Sequence, residues 1–344
     1  MSIRLDVRNL TVELPTRTGW VRPVNDVSFA LADGETLGIV GESGSGKTML
    51  SLALMGLEPH GARRSGDAWL RDPSANGHTG SAANLTAANG ANLISAAPAE
   101  MRALRGRRIA MIFQEPMTAL DPVIRVGAQI EEAIRVHEPA LGRQEIHRRA
   151  VDFLDRASVP EPSRRARQYP HQLSGGLRQR VMIAMALAPG PHVLIADEPT
   201  TALDVTVQKQ ILELLATLRR ELRLSLLFIT HDLGVVAQVA DRVAVMYAGR
   251  IVEEGPVAEV LHHPAHPYTQ GLLRAAPRLT REKLVPVPGT VPVLDSLPPG
   301  CAFAPRCPQH VAACDAALPE LVAVRANGAG AADADHRARC ILAR

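Results

Sequence analysis

Aromatic residues make up only 3% of this 344-residue chain, and cysteine is absent from its first 300 positions. With so few Phe, Tyr and Trp, a packed interior has to come from Ala, Val, Leu and Ile, which the 46% hydrophobic content supplies. Lys and Arg exceed Asp and Glu by only 38 to 35. That imbalance is too small to point to a nucleic-acid partner and carries little weight for a membrane surface. No apolar run reaches the length of about eighteen residues that a membrane helix needs. The longest uncharged apolar tract, residues 181–196, is interrupted by Pro189, Gly190 and Pro191. The opening MSIRLDVRNLTVEL lacks the basic start, apolar centre and small-residue cleavage site of a secretory signal, so a cytosolic location is expected. In a reducing compartment the four cysteines, at 301, 307, 314 and 340, suggest a metal site before disulfides.

The chain is longer than a single hydrophobic core usually grows, which favours one large domain plus an appendage, or two domains. LDVRNLTVEL alternates apolar and polar positions as a half-buried strand does, VNDVSFALADG reads as a strand ending in a turn, and ETLGIV as a short buried strand. A helix is expected from Lys47 to about Leu57. Residues 72–99, rich in Ala, Asn, Gly and Ser and nearly uncharged, read as a flexible insertion without a fold of its own. Residues 127–188 read as mainly helical. After them come the strand HVLIAD, the helix VTVQKQILELLATLRREL, the strand LSLLFIT, a short helix and two further strands. Strand and helix alternating at this spacing predict an α/β fold with a largely parallel sheet wrapped by helices. Prolines crowd the chain beyond Gly255, which divides it into a main domain, 1–255, and a smaller extension, 256–344.

GESGSGKT, at 41–48, matches the phosphate-binding P-loop at every fixed position and lies between a buried strand and a helix, where the mechanism needs it. In such a loop the backbone of Gly41, Glu42, Ser43, Gly44, Ser45 and Gly46 closes around a β-phosphate. Lys47 supplies charge to the β and γ oxygens, and the Thr48 hydroxyl is a Mg²⁺ ligand. The strand VLIAD delivers Asp197 to the Mg²⁺ shell, and Glu198, one residue on, is the candidate general base for water attacking the γ-phosphate. A second glycine-rich helix start, LSGGLRQR, places Ser174, Gly175 and Gly176 where backbone N–H groups and the helix dipole can hold an anion.

These motifs, with Gln114 in IFQEP, the segment TALD at 201–204 and His231 in FITHDL, stand in the order found in the nucleotide-binding subunits of ATP-binding-cassette (ABC) transporters, which residues 3–255 resemble. The resemblance implies a P-loop NTPase with a RecA-like core and a helical subdomain at about 115–190. It also implies a head-to-tail dimer in which Ser174, Gly175 and Gly176 of one chain close on the ATP held by Lys47 of the other. Gln114 would contact Mg²⁺, His231 the γ-phosphate, and Asp204 the dimer interface, while Trp20, or Val21 beside it, would meet the adenine. LSGGLRQR departs from many members in having Leu177 where Gln is common. The partners implied are two permease subunits, a second ATP-binding subunit of the same or a related kind and an extracytoplasmic solute-binding protein, with this chain peripheral on the cytoplasmic face of the membrane.

HPAHPYTQGLLRAAPRL and VPVPGTVPVLDSLPPGCAFAPRCPQHVAAC resemble the C-terminal extension of the oligopeptide, dipeptide and nickel importer ATPases, which implies peptide import, with nickel or glutathione as alternative cargoes and a soluble, non-transport ATPase as a further one. The spacing C-x5-C-x6-C-x25-C is not that of a paired zinc ribbon. Several members of this subfamily carry a [4Fe–4S] cluster in the region, so Cys301, Cys307, Cys314 and Cys340 are its candidate ligands.

Overall fold

Alternation at the start of the chain becomes a long hairpin. In the computed structural model, which describes residues 2–17, 19–71, 90–201, 203–275, 286–324 and 333–343, strand β1 (Ile3–Thr16) pairs antiparallel with β2 (Gly19–Ala32). Leu5, Val7, Leu10 and Val12 are buried on one face. Next come β3 (Thr36–Val40), α1 (Lys47–Met55), β4 (Arg63–Arg71), β5 (Gly90–Asn92), α2 (Pro98–Leu104) and β6 (Ile109–Ile112). The helical stretch contains α3 (Pro116–Ala119), α4 (Val126–His137), α5 (Arg143–Arg156), α6 (Pro162–Arg165) and α7 (Gly175–Leu187). It is followed by β7 (Val193–Asp197), α8 (Val205–Leu222), β8 (Ser225–Thr230), α9 (Leu233–Val239), β9 (Arg242–Tyr247) and β10 (Arg250–Pro256). The C-terminal part adds α10 (Val257–His262), α11 (Pro267–Ala275), α12 (Ala313–Ala316), β11 (Val322–Val324) and β12 (Asp333–Ala338).

Two sheets result, where the sequence pattern predicts one. β2, β1, β4 and β5 form a four-stranded sheet joined by antiparallel pairs. The second sheet has the order β11-β12-β10-β9-β3-β8-β7-β6, and β6, β7, β8, β3 and β9 are parallel within it. Every residue of β3, β6, β7 and β8 is buried. Such strands, covered on both faces, read as unbroken apolar runs, whereas the half-covered hairpin alternates. One core packs the antiparallel sheet and α1 against one face of the parallel strands, with Leu31, Leu50, Leu54 and Ile229 among its members. A second packs α7 and α8 on the opposite side through Met182, Ile183, Leu215 and Phe228. Ile130, Ile134, Ile146, Leu154 and Val181 form a separate core for the helical subdomain.

The expectation of a foldless insertion over 72–99 is overturned for residues 90–99. Residues 72–89 lie outside the described residues, but 90–99 are ordered. Asn92 explains why: its Oδ1 accepts the Ala68 and Ile94 N–H groups, both at 3.1 Å, its Nδ2 donates to Asp67 Oδ1 at 2.7 Å, and Leu93 beside it is fully buried. Averaged composition cannot register one amide and one leucine placed where a neighbouring strand needs them. At the other end the extension continues the main sheet, because β12 pairs with β10 and β11 with β12. A fourth core mixes Val40, Val243 and Tyr247 with Val260, Tyr268 and Phe303 across the division expected near residue 255.

Candidate active site

Four parallel strands end on the same side of the sheet and deliver the candidate residues there, the usual place for ligands in open α/β folds. β3 leads into residues 41–48. A Cβ on Gly46 would stand 1.9 Å from the Pro23 carbonyl oxygen at φ 105°, and one on Gly41 2.2 Å from that of Met246. The loop can follow this path only without those side chains. α1 begins at Lys47 with no side-chain cap and no acidic residue in its first turn, which leaves its leading N–H groups for an anion. Lys47 Nζ turns back into the loop, donating to the carbonyls of Gly41 at 2.7 Å and Glu42 at 3.0 Å. Burial pulls its pKa down, opposed by Glu198, Asp197 and Glu42.

Asp197, at the end of β7, is buried. Its Oδ2 accepts from Ser51 Oγ at 3.1 Å, and the Thr48 hydroxyl also bonds to this carboxylate. Burial raises its pKa, and Oδ1 has no partner. A buried carboxylate oxygen without a donor, beside a threonine hydroxyl, fits Mg²⁺, which takes one or two carboxylates and completes its shell with water and substrate phosphates. Among the described residues no three His, Cys, Asp or Glu side chains form a ready-made metal cage, and a Mg²⁺ site of this kind does not require one.

Glu198 brings three loops together. Its Oε2 accepts from Thr201 Oγ1 at 2.7 Å and from Gln114 Nε2 at 3.4 Å, and lies 3.2 Å from His231 Nδ1. Gln114 follows β6, Glu198 follows β7 and His231 follows β8. Gln114, Glu198 and His231, 84 and 33 residues apart along the chain, therefore meet at one carboxylate.

Ser174 and Gly175 are exposed at the start of α7, where Ser174 Oγ accepts the Leu177 N–H at 3.4 Å. A Cβ on Gly176 would approach Val207 of α8 to 2.9 Å. The polar groups that reach Lys47 and Glu198 come from the P-loop, Gln114, Thr201 and His231; residues 174–176 contribute none of them. Asp204 caps α8, accepting the N–H groups of Thr206 and Val207 at 3.1 and 3.0 Å. Trp20 is 42% exposed near the hairpin end, and Arg63 lies 3.9 Å over its ring, so one face is taken. The sequence reading missed Ser51 and Thr201, small hydroxyls that only the fold brings to Asp197 and Glu198. It also missed Tyr268 and Arg306, which reach the P-loop residue Glu42 from the extension. Thr201, Tyr268 and Arg306 lie within quoted segments and Ser51 within the helix expected from Lys47, but nothing in the local pattern says which residue each will touch.

Cys301, Cys307, Cys314 and Cys340, all free thiols, line one cavity of about 10 Å³ together with His266, Pro267 and Phe303. Burial pushes the thiols of Cys301, Cys307 and Cys340 up. The donor set suits a soft metal or cluster. The space between the sulfurs is that of a single water, and no three of them are drawn in as a metal shell.

Comparison with known proteins adds to this geometry. Residues 24–201 match the ABC transporter family model, and residues 252–314 that of the oligopeptide/dipeptide transporter C-terminal region. A Brucella melitensis protein provisionally named a peptide import ATP-binding protein is 49% identical over 98% of this chain and 96% of its own. A Brucella abortus protein with the same kind of name is 48% identical over 90% of this chain and 89% of its own. Among solved structures, a dimeric post-hydrolysis ATP-binding cassette bound to ADP and Pi superposes with a TM-score of 0.61 at 27% identity, over 74% of this chain and 98% of that one. The dimeric structure of a bacterial ABC transporter cassette superposes with the same TM-score at 26% identity.

Proposed function

The chain belongs to the ABC transporter family and is an ATPase of that kind, and on that premise we propose that it is the energy-coupling subunit of a peptide importer, working through separate permease subunits. The observation that carries the reading is the meeting of Gln114, Thr201 and His231 on Glu198, in the same sheet as a P-loop whose lysine is buried. The peptide assignment rests on the extension and on the names of the Brucella relatives.

In this reading the P-loop N–H groups and Lys47 hold the β and γ phosphates, and Thr48 and the free Oδ1 of Asp197 hold Mg²⁺. The ion, when bound, neutralises charge between those phosphates. Glu198 accepts the proton of the attacking water, with His231 placed to touch the γ-phosphate and Gln114 to sense its loss. Ser174 and Gly175, both exposed, and the half-buried Gly176, none of them bonded to Lys47 or Glu198, serve the nucleotide of a second subunit. Two half-sites then form one, and ATP favours the closed pair. Asp204 lies at that interface, and the open face of Trp20 takes the adenine. Among the described residues no helix is long and apolar enough to cross a membrane, so two permeases supply the channel, the chain sits peripherally on its cytoplasmic face, and a solute-binding protein supplies cargo. Residues 1–255 act as the cassette and 256–344 as the subfamily extension.

The four thiols around one cavity are the observation behind a proposed [4Fe–4S] cluster, which Cys301, Cys307, Cys314 and Cys340 would hold. Anaerobically purified protein is then brown and loses its iron in Cys301→Ser; colourless, iron-free protein removes the assignment. Peptide import is tested in proteoliposomes holding the chain with its permeases. ATP-driven uptake of a labelled dipeptide or oligopeptide, abolished by Lys47→Ala, is expected. Uptake of nickel or glutathione with no uptake of peptide would overturn it.

A further inference from the structure

Glu42, the second residue of the P-loop, is held from outside the cassette. Its backbone N–H donates to Tyr268 Oη at 2.8 Å, and its two carboxylate oxygens accept from Arg306 Nη1 at 2.7 Å and Nη2 at 3.0 Å. Tyr268 and Arg306 lie 226 and 264 positions further along the chain. Both are buried, and Arg306 is fixed in turn: Nε donates to the Pro288 carbonyl at 2.7 Å, Nη1 reaches Tyr247 Oη at 3.3 Å, and its guanidinium carbon stands 5.8 Å from the rings of both Tyr247 and Phe303. A two-pronged arginine–carboxylate contact fixes direction as well as charge.

Charge is the reason such a contact matters here. Glu42 sits in the loop that receives a triphosphate, where an unpaired carboxylate repels the ligand, and Arg306 cancels it. Arg306 belongs to the short loop bounded by Cys301 and Cys307. That loop is tied by the Cys301 N–H to the Cys314 carbonyl at 2.8 Å and by the Cys307 N–H to the Ala304 carbonyl at 3.1 Å. Both cysteines line the four-thiol cavity.

We infer that Arg306 and Tyr268 are positioning residues for the nucleotide loop, and that they couple the cysteine cavity to ATP affinity. This rests on the reading of residues 41–48 as the ATP site. Whatever moves the loop between Cys301 and Cys307 moves Arg306, and with it the charge balance at Glu42.

The test is an ATP titration of the full-length chain, with steady-state ATPase rates alongside. Arg306→Met is expected to weaken ATP binding about tenfold, the scale of one uncancelled charge nearby, and to raise KM while kcat at saturation holds. Glu42→Gln in the same chain removes the repelling charge and recovers most of the affinity, which a general loosening of the fold would not do. Because the chain has only four cysteines, N-ethylmaleimide labels the cavity alone; labelling is expected to weaken ATP binding in the wild type and to add nothing in Arg306→Met. An unchanged affinity in Arg306→Met, or no recovery in the double variant, overturns the positioning role. An unlabelled and a labelled wild type of equal affinity overturn the coupling. A wild-type chain that binds no ATP at all sinks the underlying site assignment instead.

Discussion

Glu198 holds a left-handed backbone conformation, φ 46°, that a residue with a long side chain seldom adopts. The strain directs its carboxylate to a point where Thr201, Gln114 and His231 converge. If that carboxylate takes the proton from water, Glu198→Gln keeps the shape and the hydrogen-bonding capacity and removes only the basicity. ATPase activity should then fall on the order of a hundredfold or more while nucleotide affinity is retained. Turnover near wild type with intact binding would remove Glu198 from the role of base. The pair Asp197 and Glu198 was legible beforehand because a buried strand ending in two acids, in a chain with a P-loop, has few other uses. Thr201 and Ser51 were not legible. A single hydroxyl has no pattern in one dimension, and its partner is chosen by how β7 and α1 pack.

Ser174 and Asp204 each cap a helix, α7 and α8, and are also the residues read as serving the dimer interface. Asp204 caps α8 through two N–H bonds, and its side chain is exposed. Replacing it with Ala should cost about 1 kcal/mol in a urea unfolding curve, whereas Asn, which caps equally well, should change stability little. ATPase activity lost in both variants while only one is destabilised would separate an interface role for Asp204 from capping. Equal losses of stability in the two would refute the cap as its structural contribution. At this scale the helices and buried strands were the most readable part of the molecule. α8 spans the very residues its 3.6-residue periodicity marks, and β7 the apolar run before Asp197. The separate antiparallel sheet was less readable, because alternation shows that β1 and β2 are half-covered without showing what covers them. Only β4 and β5, joined across residues that carry no strand signal, complete that sheet.

For the molecule as a whole, the extension and the cassette share one sheet and one core, so the division near residue 255, plain in the proline content, is not a seam in the packing. Glu253 makes this concrete: fully buried on β10, it accepts the N–H groups of Ala265 and His266 at 2.7 and 2.9 Å and lies 2.8 Å from His336 Nε2. A chain cut after residue 256 leaves that carboxylate and the apolar residues Val243, Val245 and Tyr247 uncovered. It should be recovered as aggregate or bind a hydrophobic dye strongly, and a soluble, cooperatively unfolding fragment would refute the shared core. The proposed pairing of two chains can be tested through the exposed Ser174. If Ser174 serves a neighbour's nucleotide, a chain with Lys47→Ala and a chain with Ser174→Arg are each inactive alone, since every site in either pure pair is defective. In a mixed pair both lesions fall on one site and the other is whole. Mixing equal amounts should therefore restore activity to about a quarter of the wild-type level, because half the pairs are mixed and each has one intact site of two. A mixture that stays inactive, although cross-linking shows mixed pairs to form, would mean that Ser174 acts within its own chain or that the two sites cannot fire singly. A rate per chain that stays constant on dilution through the range where sedimentation shows the pair dissociating would exclude the shared site altogether.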